Sequence, residues 1–148
     1  MLIVYLWIYG GIALATLVCA AACRWGGPAE RLCATTLWLA WIASYFVQSW
    51  AGKGPGDLVI LIDTICLVVF VLLSLKFKRL WTLVVAASQL DDVMSHLASK
   101  LTHYVYSYVV VSGVFGGYFI LLVLAIATIG HQRRLKRQAR QEAALKAA

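Results

Sequence analysis

The chain has 148 residues, 63% of them hydrophobic and 13% charged, with a mean hydropathy of +0.86; an ordinary soluble domain is roughly 45–50% apolar and about 25% charged. That balance excludes a soluble domain, and because a membrane helix takes about 20 mostly apolar residues it leaves room for five spans and little else. The net charge of +7, from 13 Lys and Arg against 6 Asp and Glu, would suggest nucleic acid in a soluble protein. Here basic residues gathered on the cytoplasmic side account for it, so no nucleic-acid partner is expected.

The first apolar run, Leu2 to Ala22, reads as a retained span. Ala20-Ala21-Ala22 resembles a signal cleavage site and Cys23 a lipoprotein acceptor, but no basic residue precedes the run and Arg24 follows it. Gly26-Gly27-Pro28 turns the chain into a second run, Leu32 to Ala51, and residues 52–56 turn it into a third, Leu58 to Leu75. The four cysteines, Cys19, Cys23, Cys33 and Cys66, lie in or beside these runs. They read as small buried hydrophobes; three of them near the cytoplasmic end of spans one and two offer a soft-metal site as the alternative.

Gly54-Pro55-Gly56-Asp57 is similar to the Gly-x-Gly-Asp motif of intramembrane aspartyl proteases. That family carries a second aspartate in a Tyr-Asp context, which this sequence lacks. A turn with Asp57 as N-cap of the third helix explains the same residues.

The fourth run, Leu80 to Ser99, is apolar but interrupted by Ser88, Gln89, Asp91, Asp92, Ser95 and His96, and the fifth covers about Tyr104 to Gly130. Basic clusters precede the fourth (Lys76, Lys78, Arg79) and follow the fifth (Arg133, Arg134, Lys136, Arg137, Arg140, Lys146). If both are cytoplasmic, an even number of spans separates them, so the fourth run crosses too. Counting back places eleven basic residues inside against Lys53 and Lys100 outside.

The expected fold is therefore all-α: a multi-pass inner-membrane protein with five transmembrane helices (about 2–22, 32–51, 58–75, 80–99 and 104–130), N-terminus out and C-terminus in. Residues 1–130 form the transmembrane domain and 131–148 a basic cytoplasmic tail. The tail is rich in helix formers and should extend the fifth helix, with Arg133, Arg134, Lys136 and Arg137 meeting lipid headgroups. Trp38, Trp41 and Tyr118 lie deep enough to face neighbouring helices. Gly113, Gly116 and Gly117 are candidate helix-packing positions, Gly113 and Gly117 at the Gly-x-x-x-Gly spacing that lets backbones approach.

The polar groups of the fourth span carry the functional signal. At 100° per residue they fall within an arc of about 160° centred near Asp92, with Leu90, Val93, Met94, Leu97 and Leu101 on the other side. Asp63, on the third span, falls at a similar depth to Asp92 and His96, within roughly 10 Å of the midplane. No Lys or Arg lies at that depth. Asp63, Gln89, Asp91, Asp92 and His96 thus form a candidate polar or ion site. As packing, they are an interhelical network fixing the bundle or a partner subunit. As chemistry, they are a proton relay or cation site, with Asp92 and His96 offering a ligand pair and the metal left open.

The run KFKRLWTLVVAASQLDDVMSHLA, Lys76 to Ala98, resembles a segment of small, uncharacterised bacterial inner-membrane proteins with similar multi-span layouts: a basic turn, Trp81 at the membrane entrance, then Gln89 and His96 deep in the helix. The resemblance implies the layout and no reaction. The leading expectation is a small accessory or interaction subunit with a membrane-protein partner or a second copy of itself; the competing one is a proton- or cation-conducting element using Asp63, Asp92 and His96. No nucleophile with a base, phosphate loop or multi-histidine motif points to an enzyme, and no cofactor is expected.

Overall fold

A computed structural model describes residues 2–51, 56–102 and 116–147. Over these residues the chain is all-helical: α1 (Leu2–Trp25), α2 (Pro28–Ala51), α3 (Asp57–Phe77), α4 (Leu80–Thr102) and α5 (Phe119–Ala147), the last entered through a π-helical turn at 116–118.

Short connections set the hairpins. The Gly26 N–H bonds Ala22 O at 2.8 Å and the Arg31 N–H bonds Gly27 O at 3.0 Å, closing α1 and opening α2. A Cβ on Gly26 would collide with the Ala22 carbonyl and approach Glu30 Cβ at 2.6 Å, so a glycine is required there. Pro28, with no N–H to leave unpaired, suits the first position of α2. At the other hairpin Lys78 takes the left-handed conformation (φ 50°, ψ 39°) and caps α3. The Arg79 carbonyl then accepts the Thr82 N–H at 3.0 Å and the Thr82 hydroxyl at 2.6 Å, which starts α4. The cap of α3 corrects the expectation for Asp57. Gly56, extended at φ −64° and ψ 159°, is the N-cap, and no side chain supplies the cap bond. Asp57 is the first helical residue, where its charge suits the positive end of the helix dipole.

Each helix packs on its chain neighbour, α5 packs back on α1 and α4 to close a ring, and α2 touches α5 across it. The interior is built largely from small side chains, Ala15, Cys19, Ala22, Cys33 and Ala34 among them, with Phe70, Ile120, Leu121 and Leu124 as the large members. Cys66 is buried too, Cys23 is half-buried and all four thiols are free. The bulky aliphatics point outward instead, as with Leu17, Leu39, Leu61, Leu75, Leu83 and Ile126. Small residues inside let helix axes approach closely. Trp41 meets Tyr118 edge to face at 5.8 Å, as their depth suggested. Trp38 lies at the edge of the bundle and also meets a neighbouring helix, its indole N–H donating to Thr16 Oγ1 of α1 at 3.2 Å.

Among the described residues, α3 is the one helix both long and apolar enough to cross a membrane by composition; the apolar stretch Tyr9–Trp25 is shorter. The others are interrupted for identifiable reasons. α2 begins four residues before its apolar run and takes in Glu30 and Arg31, α4 carries Asp91, Asp92 and His96, and α5 runs on into Arg133 and Arg134.

The orientation of α4 also differs from its expected arc. Thr82, Val85, Ala86, Gln89, Val93 and His96 are buried, which turns the inward face by about 60° from Asp92 toward Gln89 at 100° per residue. Val93, expected outside, is inside. Asp91 is exposed, as are Leu90, Met94 and Leu97.

Candidate cation site between the third and fourth helices

Asp92 and His96 are four residues apart and Gln89 and His96 seven apart, so one face of α4 presents all three. α3 supplies Asp63, flanked on its own face by the buried Val59 and Cys66. His96 Nε2 lies 2.7 Å from Asp63 Oδ2, and Gln89 Nε2 donates to Asp63 Oδ1 and to the Asp63 carbonyl, each at 3.4 Å. One ligand atom each from Asp63, Asp92 and His96 lies within 4.8 Å of the others. His96 is 1% exposed and Gln89 3%, while both carboxylates are half-buried.

Gly116 closes the site from the far side. A Cβ there would lie 2.7 Å from the Asp92 carboxyl carbon and from Oδ2, so the π-helical turn before α5 lies directly against that carboxylate. Gly117 does the same for the Trp41 ring, which a Cβ would overlap. These two glycines therefore make room for side chains of α4 and α2, where the sequence suggested close backbone contact between helices. Gly113, the other member of the expected Gly-x-x-x-Gly pair, lies outside the described residues.

One expected member of the site, Asp91, and another polar residue of the fourth run, Ser95, stand apart. The exposed Asp91 points away from Asp63, since the 100° step between neighbours carries it off the buried face. Ser95 Oγ donates at 2.7 Å to the Asp92 backbone carbonyl and not to its carboxylate. Arg133, Arg134, Lys136 and Arg137 are all exposed along the helical tail.

The electrostatics of the three-residue group are unusual because two carboxylates meet beside one imidazole. Every Lys and Arg of the chain lies outside the five apolar runs. Two carboxylates this close repel each other, which favours a proton or a cation between them. The donor set, one imidazole nitrogen and two carboxylate oxygens from two helices, suits either.

A fully buried acid escaped the sequence reading. Glu30 is 0% exposed, and its Oε1 pairs with Arg79 Nη1 at 2.7 Å. Its Oε2 has no hydrogen-bond partner among the described residues and faces the same point above Gly27 as the His131 ring. Nearby, Arg31 Nε donates to Gly26 O at 3.0 Å and Gln132 Nε2 to Trp25 O. The α1–α2 turn, the α3–α4 turn and the start of the basic tail are thereby drawn to one end of the bundle. An acid in the first turn of a helix beside Arg31 reads as solvated; its partner, 49 positions away, left no local signal.

Compared with known proteins, the chain matches no family, no characterised relative and no solved structure.

Proposed function

We propose that the chain is a five-span inner-membrane protein, N-terminus outside and C-terminus in the cytoplasm, that binds and conducts protons or cations at Asp63, Asp92 and His96. The observation that carries this reading is the convergence of those three side chains within 4.8 Å between helices whose apolar runs contain no Lys or Arg. The outward-facing aliphatics support the membrane setting, because soluble monomers rarely expose apolar patches beyond a few hundred Å². Gathering Arg24, Arg31, Arg79 and the tail toward one end supports the orientation, and in that setting the tail arginines meet anionic headgroups.

The test is flux in reconstituted vesicles. Asp63→Asn and Asp92→Asn should each lower proton or cation flux at least tenfold while the chain still elutes as wild type does. Unchanged flux with weakened assembly would hand these residues to packing alone.

A second reading, an accessory subunit, rests on Asp91. It is exposed on α4 among Leu90 and Met94, and an acid facing lipid costs several kcal/mol unless covered. Purification in mild detergent with mass spectrometry distinguishes a stoichiometric partner, or a second copy, from a lone chain. A monomer with no partner removes this reading.

A further inference from the structure

We propose that the ion held by Asp63, Asp92 and His96 is a divalent transition-metal cation of the Zn²⁺ type, an inference that rests on the cation-site reading and narrows it. The donor set makes the first selection. Ca²⁺ takes six to eight oxygen ligands and Mg²⁺ an octahedron of oxygens largely from water, whereas an imidazole nitrogen with carboxylates suits Zn²⁺ and its first-row neighbours. Charge makes the second: two carboxylates brought this close attract a divalent ion about twice as strongly as a monovalent one.

Geometry is compatible. Around a tetrahedral Zn²⁺ with ligands at about 2.0–2.2 Å, donor atoms stand about 3.4 Å apart. The His96 Nε2 to Asp63 Oδ2 distance of 2.7 Å would open slightly and the 4.8 Å limit of the group would close, movements within reach of carboxylate rotation. Two neighbours restrict that rotation to useful directions. Gln89 holds Asp63 by its other oxygen, Oδ1, leaving Oδ2 toward His96, and Gly116 backs the Asp92 carboxylate. Gln89 is thus a positioning residue. Three protein ligands leave a fourth coordination position open, through which an ion can enter and leave.

The experiment adds Co²⁺ to the full chain purified in mild detergent. One Co²⁺ per chain should bind with the intense visible absorption of tetrahedral coordination, and Zn²⁺ should displace it where excess Ca²⁺ does not. His96→Gln and Asp92→Asn should weaken binding by more than about 100-fold, and Gln89→Ala by about 10- to 100-fold, the range for groups that orient a ligand. Asp91→Asn should leave it unchanged. Should His96→Gln not fold, His96→Cys keeps a ligand and should add a thiolate-to-cobalt charge-transfer band. An octahedral spectrum indifferent to His96, or equal losses from Asp91→Asn and Asp92→Asn, would overturn the inference. The two readings fail separately. Proton flux lost in Asp63→Asn with no Co²⁺ bound overturns the metal and keeps the ion site; tetrahedral Co²⁺ with unchanged flux supports the metal site and removes conduction.

Discussion

Glu30 and Arg79 close an ion pair at 2.7 Å with none of the Glu30 side chain exposed, joining the start of α2 to the start of α4. Removing one partner of such a pair strands a charge, which costs about 3–5 kcal/mol, while replacing both with apolar groups costs far less. Arg79→Leu should therefore lower the thermal midpoint in detergent sharply, and the double variant Glu30→Leu/Arg79→Leu should recover most of the loss. A double variant no more stable than the single would show that Arg79 acts through something other than Glu30.

Much of the architecture was legible because apolar runs report helices directly. Asp57–Phe77 coincides with its expected run within two residues at each end. Depth counting along α3 and α4 also put Asp63 level with His96, since helical rise is fixed at about 1.5 Å per residue. Helix rotation was not legible. The polar arc of α4 was centred on Asp92 as though every polar side chain turned inward, but packing is decided by what the neighbours offer. With Asp63 as the partner, His96 and Gln89 take the centre and Asp91 is left outside. Glu30 was missed for a related reason. Its burial depends on the α3–α4 turn folding back over the α1–α2 turn, a relationship between segments that neither segment encodes alone.

Two glycines give opposite expectations for the same substitution. A Cβ at Gly116 would sit 2.7 Å from the Asp92 carboxyl carbon, whereas nothing lies within 4 Å of one at Gly130. Gly116→Ala should destabilise by about 1–3 kcal/mol through overpacking and weaken any ion bound through Asp92. Gly130→Ala, inside a continuous helix, should stabilise by about 0.5–1 kcal/mol. Thermal unfolding in one detergent compares them; equal effects would mean that Gly116 does not press on Asp92.

Lys78 is the one non-glycine residue with positive φ among those described. Left-handed backbone costs an ordinary residue about 1–2 kcal/mol, and glycine escapes it. Lys78→Gly should be about 1 kcal/mol more stable than Lys78→Ala, a comparison in which both variants lose the same charge. If alanine matched glycine, the αL cap would not limit stability.

Topology can be checked at two positions that the charge distribution assigns to opposite sides. With a membrane-impermeant maleimide on intact cells, Lys53→Cys should label at once, because residue 53 lies in the connection assigned to the outside. Arg133→Cys, exposed on the helical tail, should label only after permeabilisation. The native Cys23 is half-buried near the end where Trp25 meets Gln132, and it should follow the pattern of residue 133, providing an internal marker for the inner side. Cys19, Cys33 and Cys66 are buried in the bundle and should stay silent until the protein is unfolded. Labelling of residue 53 only after permeabilisation would reverse the orientation. It would then put the Glu30–Arg79 end outside, where the excess of basic residues has no anionic leaflet to hold it.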